Sequence, residues 1–310
     1  MMHINFTAFL YIVPAFLLAP FLATVVQKVK ALFAGKKGPP LLNNYYALRK
    51  LSQKAVVYST STTFVFRLGP VVSCSVSAVL LLFFPFAGIK PLFHFQGDAI
   101  LLFYLLALGR FFTVIAALDT ASPFEGMGAA REVYFSFLAE ATIFMVFIHF
   151  YRITGKLSLS GYFTGPAAIN LWGPAGAVLL LIVLALFMVL LTENSRVPVD
   201  DPATHLELTM IHEVMILDHS GPDLALIEIG AWCKLLFYSG FIANLLIPSV
   251  AQAGQLTALL FIAVVFLIYI AIGVVESITA RFKMQMVPKF ILTSFGLAFL
   301  AAIISMELPK

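Results

Sequence analysis

Eight stretches, each long and apolar enough to cross a bilayer, leave this chain little choice of environment. A membrane-spanning helix needs about 20 mostly apolar residues, because a rise of about 1.5 Å per residue must cover about 30 Å of hydrocarbon. The stretches run Asn5 to Val26, Ser61 to Phe86, Ala99 to Leu118, Val133 to Arg152, Pro174 to Thr192, Leu224 to Ile247, Leu256 to Val275 and Lys289 to Met306. Of the 310 residues 61% are hydrophobic and 11% charged, against roughly 25% charged in a soluble domain. The spacing therefore predicts an all-α, polytopic membrane protein of about eight transmembrane helices, one integral membrane domain over residues 1–310. The first stretch exceeds the apolar core of a leader peptide, no basic residues precede it and the basic cluster follows it, so it is expected to be retained.

An even number of spans puts both termini on one side and sorts the loops into two sets. Twelve basic residues fall in the odd loops: Lys28, Lys30, Lys36, Lys37, Arg49, Lys50, Lys54, Arg131, Arg196, Arg281, Lys283 and Lys289. The other set holds Lys90, Arg152, Lys156 and Lys310. The positive-inside rule then makes the odd loops cytoplasmic and both termini outside, as in a multi-pass protein of the cell inner (cytoplasmic) membrane.

One cytoplasmic loop breaks that bias. Residues 193–223 carry Glu193, Asp200, Asp201, Glu207, Glu213, Asp218 and Asp223 against a single Arg196. This acidic loop is expected to be a docking surface with a short helix. Asp201 is placed as an N-cap and Pro202 as the first helical residue, with Ala203 to Leu217 following without Gly or Pro. The first cytoplasmic loop, with Gly35, Gly38, Pro39 and Pro40, reads as an extended connector to a short amphipathic piece at Tyr45 to Lys54.

Ionisable residues inside the spans share a depth. Arg67, Arg110, Glu140 and Lys234 fall roughly 6 to 15 Å below the cytoplasmic interface, at about 1.5 Å per residue, with Glu228 nearer the boundary. Charges facing lipid cost at least about 2.5 to 3.5 kcal/mol at the helix centre, so such a layer implies a polar cavity inside the bundle. The plainer reading is inter-helix ion pairs or snorkelling side chains, for which Arg67 is the strongest case. Glu140 is too short to snorkel, and Glu132, eight residues earlier, lies about 80° away on nearly the same helical face. Glu132 and Glu140 are thus candidates for a proton path. The Glu140 carboxyl is expected to resist ionisation unless Arg110 or Lys234 pairs with it.

Several chemistries are excluded. Two cysteines, Cys74 and Cys233, provide neither a disulfide framework nor an iron–sulfur ligand set. His212-Glu213 opens the zinc-protease pattern but Ile216 stands where its second histidine belongs, and no metal is assigned to His205, His212 and His219. Gly35-Lys36-Lys37-Gly38 lacks the spacing of a phosphate loop. No nucleophilic triad can be assembled, and the net charge of +4 gives no support to nucleic-acid binding. The 31 phenylalanines read as packing and lipid-facing residues.

Two stretches carry a resemblance. One runs from Glu193 to Glu213, Glu-Asn-Ser-Arg-Val-Pro-Val-Asp-Asp-Pro-Ala-Thr-His-Leu-Glu-Leu-Thr-Met-Ile-His-Glu, and continues from Leu217 as Leu-Asp-His-Ser-Gly-Pro-Asp-Leu-Ala. The other is Ala-Leu-Asp-Thr-Ala-Ser-Pro-Phe-Glu-Gly-Met-Gly-Ala-Ala-Arg-Glu, from Ala117 to Glu132. With the eight-span layout, they resemble the complex I subunit 1 family, and within it the membrane subunits of group 4 nickel–iron hydrogenases, the formate hydrogenlyase subunit 4 type.

The resemblance implies a non-catalytic membrane subunit joining a cytoplasmic electron-transfer arm to antiporter-like membrane subunits that move protons or sodium. The nickel–iron hydrogenase large subunit and iron–sulfur small subunits would dock on the loop, and they, not this chain, would hold the nickel–iron centre and iron–sulfur clusters. Carried over to this sequence, the docking candidates are Glu193, Arg196, Asp200, Asp201, His205, Glu207, His212, Glu213, Asp218 and Asp223, with Asp119, Glu125 and Arg131 from the second stretch. The proton-path candidates are Glu132, Glu140 and Glu228 with Arg67, Arg110 and Lys234. The alternative is the quinone-site membrane subunit of a complex I-type NADH dehydrogenase; His-Leu-Glu-Leu-Thr after Asp-Asp-Pro sides with the hydrogenase variant. A free-standing secondary transporter is the third class, disfavoured because no internal repeat is visible.

Overall fold

A computed structural model of the chain describes residues 3–5, 8–164, 169, 171–172, 176–201, 209–247 and 255–307. Its helices are α1 (Phe9–Phe33), α2 (Asn43–Ser52), α3 (Phe64–Leu82), α4 (Asp98–Asp119), α5 (Pro123–Thr154), α6 (Leu159–Phe163), α7 (Gly176–Glu193), α8 (His212–Met215), α9 (Gly221–Leu246), α10 (Gln255–Ile278) and α11 (Val287–Glu307). Among the described residues eight of them are long and apolar enough to span a membrane, one for each apolar stretch of the sequence. The only strands described are β1 (His3–Ile4) and β2 (Phe93–His94), paired antiparallel with Ile4 opposite Phe93. The protein is an all-helical, polytopic membrane protein.

Local signals set the helix ends. Thr63 caps α3 by accepting the Val65 amide at 3.2 Å. Pro123, directly after the extended N-cap Ser122, and Pro222, the second residue after the extended N-cap Ser220, lie in the first turns of α5 and α9, where a missing N–H costs nothing. Gly155 ends α5 in the left-handed region, at φ 66°, which a residue without Cβ reaches freely. Around the centre, α3 packs on α4 and α9, α1 on α10, and α11 lies against α5 and α7. Gly230 makes the α3–α9 contact possible, since a Cβ there would stand 3.3 Å from the Cys74 Cα.

Two elements differ from the sequence expectation. Helix α5 starts at Pro123 rather than Val133 and runs 32 residues, about 48 Å at 1.5 Å per residue, longer than the hydrocarbon core. Apolarity marks where a helix meets lipid, whereas its true start is a Ser-Pro cap lying outside that layer. The predicted helix Ala203 to Leu217 is corrected at its C-terminal end: Thr209 to Ile211 are not helical and only the single turn of α8 forms. The Asp200 carboxylate accepts the Ile211 and His212 amides, both at 3.1 Å, and folds the chain back on itself. Residues 202–208, with Pro202, His205 and Glu207, lie outside the described residues.

Candidate functional site

Seven parts of the chain line a cavity of about 320 Å³: α1, α3, α4, α5, α9, α10 and the acidic loop, which contributes residues 193–196, 212, 213, 215 and 216. Ten ionisable side chains line it: Lys30, Arg110, Glu132, Glu193, Arg196, His212, Glu213, Glu228, Lys234 and Glu276. An isolated ion in low dielectric is prohibitively costly, so a space lined this way must pair its charges or admit water.

Pairing centres on Glu193, whose side chain is fully shielded from solvent. Arg110 Nη2 lies 2.8 Å from both Glu193 carboxylate oxygens, a bifurcated, charge-assisted contact from a single guanidinium nitrogen. Lys234 Nζ lies 2.9 Å from Glu193 Oε2 and donates to the Glu193 carbonyl oxygen at 2.6 Å. The other guanidinium nitrogen of Arg110, Nη1, donates to Glu140 Oε1. Four helices thus meet in a chain of alternating sign, Lys234–Glu193–Arg110–Glu140, from α9 through α7 and α4 to α5. Glu140 stands behind Arg110 rather than in the cavity lining. Glu132 lines the cavity, accepts from Ser136 Oγ at 3.4 Å, and lies within electrostatic reach of Arg110.

A second network closes the cavity on the α1–α10 side. Glu276, its side chain fully buried, sits 3.0 Å from Lys30 and 3.5 Å from Arg196, and Lys30 is 4.0 Å from Asp201. Sequence reasoning missed Glu276 because the seventh apolar stretch was ended one residue before it. Its signal was an acid directly after that stretch, in a region otherwise basic through Arg281 and Lys283.

The acidic loop turns inward. Glu193 is the hub of the first network, Asp200 is 1% exposed and takes Arg281 at 2.7 Å, and Glu213, Arg196 and His212 face the cavity. Burial, with Glu228 and then Asp200 nearby, pushes the Glu213 carboxyl up to about 7, against the opposing pull of Arg196. Desolvation lowers His212, and lowers His219 to about 4, where the His219 ring stacks on Phe66 at 3.9 Å.

Other docking candidates hold structure. Asp119 accepts from the Thr63 amide at 2.6 Å and ties the α4 end to the α3 start. Asp223 accepts the Tyr58 hydroxyl at 2.8 Å. Buried Glu125 accepts the Asp218 amide at 3.4 Å, and Arg131 donates to the Met210 carbonyl at 3.0 Å. Asp218 itself is exposed. Arg67 stands apart from the cavity: exposed, it stacks over the Tyr58 ring at 4.4 Å.

A protein-family model described as NADH dehydrogenase matches residues 6–306. Among curated proteins the chain is 30% identical to hydrogenase-4 component C of Escherichia coli (strain K12) over 292 residues, 92% of this chain and 90% of that protein. It is 28% identical to formate hydrogenlyase subunit 4 of the same organism, over 92% of this chain and 94% of that one. Among solved structures, a chain of the membrane-bound sulfane sulfur reductase, an archaeal respiratory membrane complex, superposes with TM-score 0.82 at 18% identity, covering 96% of this chain and 97% of the other. At that identity the likeness concerns the fold.

Proposed function

The chain belongs to the NADH dehydrogenase family, that of complex I subunit 1, and from that premise we propose that it is the non-catalytic membrane subunit of an energy-converting nickel–iron hydrogenase complex of the formate hydrogenlyase type, where it couples hydrogen evolution to ion translocation. Two Escherichia coli relatives named as hydrogenase and formate hydrogenlyase components, matched over nine-tenths of their lengths, support this choice within the family. In this reading the nickel–iron large subunit and the iron–sulfur small subunits sit on a cytoplasmic roof to which residues 193–201 and 209–223 contribute, and supply all redox cofactors. Antiporter-like subunits adjoin the bundle within the membrane.

The observation that carries the coupling role is the Lys234–Glu193–Arg110–Glu140 chain beneath the cavity roof. Arg110 divides its guanidinium between Glu193 and Glu140, so any change of charge on the cavity side alters how strongly it attracts Glu140. Such coupling is electrostatic and reciprocal, and it needs no large movement of helices. Glu132 and Glu228 in the lining give protons from the roof a first place to bind. The roof carries a matching element in Glu213, whose carboxyl titrates near neutrality.

The test is Glu140→Gln in the assembled complex, reconstituted in sealed vesicles. Hydrogen evolution continues and ion translocation is lost by at least about ten-fold, because Gln keeps the shape and removes the ionisable group. Unchanged translocation at unchanged turnover would exclude Glu140 from the path. Purification identifies the complex: nickel and iron–sulfur partners support the hydrogenase reading, whereas bound quinone with flavin subunits replaces it with the complex I alternative.

A further inference from the structure

The first acidic residue of the chain is Asp98, and the 97 residues before it carry nine lysines and arginines. Two of these have work inside the fold, Lys30 on Glu276 and Arg67 on Tyr58. Five others, Lys36, Lys37, Arg49, Lys50 and Lys54, are exposed and form no ion pair among the described residues. They flank one structure: Lys36 and Lys37 follow the end of α1, Arg49 and Lys50 occupy the last turn of α2, and Lys54 lies just beyond it.

The position of α2 says what these cations meet. Asn44 is buried and donates to the Pro20 carbonyl at 3.0 Å, and the Tyr45 hydroxyl donates to the Leu17 carbonyl. Pro20 lies inside α1, and both acceptors belong to an apolar, membrane-spanning helix. The start of α2 is therefore bolted to a lipid-embedded segment rather than held out in water. Beside it Leu41, Leu42 and Tyr46 are exposed at 41%, 49% and 54%. Exposed apolar groups beside a helix anchored to a membrane-spanning segment, with unpaired cations on that helix and just before and after it, are the pattern of an interfacial element whose apolar side meets acyl chains while its basic side meets headgroups.

We propose that α2 and the connector before it form a binding surface for anionic phospholipid headgroups, with Lys36, Lys37, Arg49, Lys50 and Lys54 as the phosphate-facing cations. A basic cluster that merely sets the orientation of the chain faces water and has no lipid preference; this one flanks a helix whose start is anchored to the membrane-spanning α1 by hydrogen bonds. No acidic residue in the segment competes for the cations, so a diacyl phosphate ester of net negative charge is the chemistry they lack.

The complex containing the full chain, purified in detergent, would be titrated with phosphatidylglycerol and separately with phosphatidylcholine and read by native mass spectrometry. The expected result is retention of phosphatidylglycerol at least about ten-fold above phosphatidylcholine, falling by at least about ten-fold when K36Q, K37Q, R49Q, K50Q and K54Q are combined. A charge-preserving set with Arg for each Lys keeps the preference. Should the combined variant fail to assemble, K36Q/K37Q and R49Q/K50Q made separately each show a partial loss. Equal retention of the two lipids by the wild type overturns the proposal, as does a neutralised variant that retains phosphatidylglycerol unchanged. Protection of these lysines from amine-reactive reagents in the assembled, fully delipidated complex overturns it in favour of an acidic protein partner.

Discussion

The cavity and the aromatic cluster are built from the same helices and live by opposite rules. Helix α9 carries Glu228 and Lys234 into the cavity and, further along, Phe237 and Phe241 into a packed apolar core. Helix α5 carries Glu132 and Glu140, then Phe150. In the aromatic half, Phe241 stacks on Phe150 with ring centroids 5.9 Å apart, meets Phe163 edge-on at 5.1 Å, and Tyr162 closes on Phe150 at 5.4 Å. That half is held by volume, and losing atoms leaves a hole. The cavity half is held by charge balance, and losing one charge leaves another stranded. The coupling argued above belongs to the second, because a core packed mainly from phenylalanine rings carries no charge that a neighbouring charge could shift.

The largest effect is expected at Glu193. Glu193→Gln keeps the volume but leaves Lys234 without its carboxylate and Arg110 with Glu140 alone, and removing one partner of a buried ion pair costs about 3 to 5 kcal/mol. Both the unfolding midpoint in detergent and ion translocation should collapse. Phe241→Ala is the counterpart: a loss of about 3 kcal/mol from the hole it leaves, with the ratio of ions moved per hydrogen evolved unchanged in the folded fraction. If Phe241→Ala altered that ratio while Glu193→Gln did not, the division between the halves would be broken.

The division was partly visible in the sequence. The eight spans were legible because hydrocarbon demands a run of apolar residues that nothing else imitates. Arg110, Glu140 and Lys234 were legible as a layer because charge inside such a run requires an explanation. Their pairing was not, since Glu193 sits 83 positions from Arg110 and helix adjacency leaves no mark on one sequence. Glu193 stands at the boundary between span and acidic loop, where sequence alone does not separate a surface acid from a buried one. The same holds for Asp200 and Asp223: an acid in a polar loop looks solvated, although here it also satisfies backbone amides or a tyrosine hydroxyl. Arg67, by contrast, was already the strongest case for an uninvolved side chain.

A smaller, pH-dependent effect separates the roof from both halves. The Glu213 carboxyl is raised from an ordinary value of 4.5 to about 7, so the unfolded chain gives up this proton first as pH rises. The folded state therefore loses stability across about pH 4.5 to 7 and loses no more from this group above that window. Measured as Tm against pH, the slope in the window should flatten in Glu213→Gln. An unchanged slope would mean that the roof admits enough water to solvate the carboxylate, and the cavity would be more open than its lining implies.

The smallest effect belongs to Arg67. Its guanidinium lies 4.4 Å from the Tyr58 ring centroid, on an exposed side chain, and such stacking contributes about 0.5 to 1 kcal/mol at exposed sites. Tyr58, in the segment between α2 and α3, in turn donates to Asp223 at the start of α9, so Arg67→Ala should loosen the hold of that segment on α9 slightly. It should leave ion translocation unchanged, because Arg67 reaches neither the cavity nor any member of the Glu193 chain. Measuring translocation in Arg67→Ala beside Glu140→Gln separates depth from connection, since both side chains belong to the charged layer predicted from the spans. Equal losses in the two variants would make depth alone the criterion, and the cavity would lose its claim to be the coupling element.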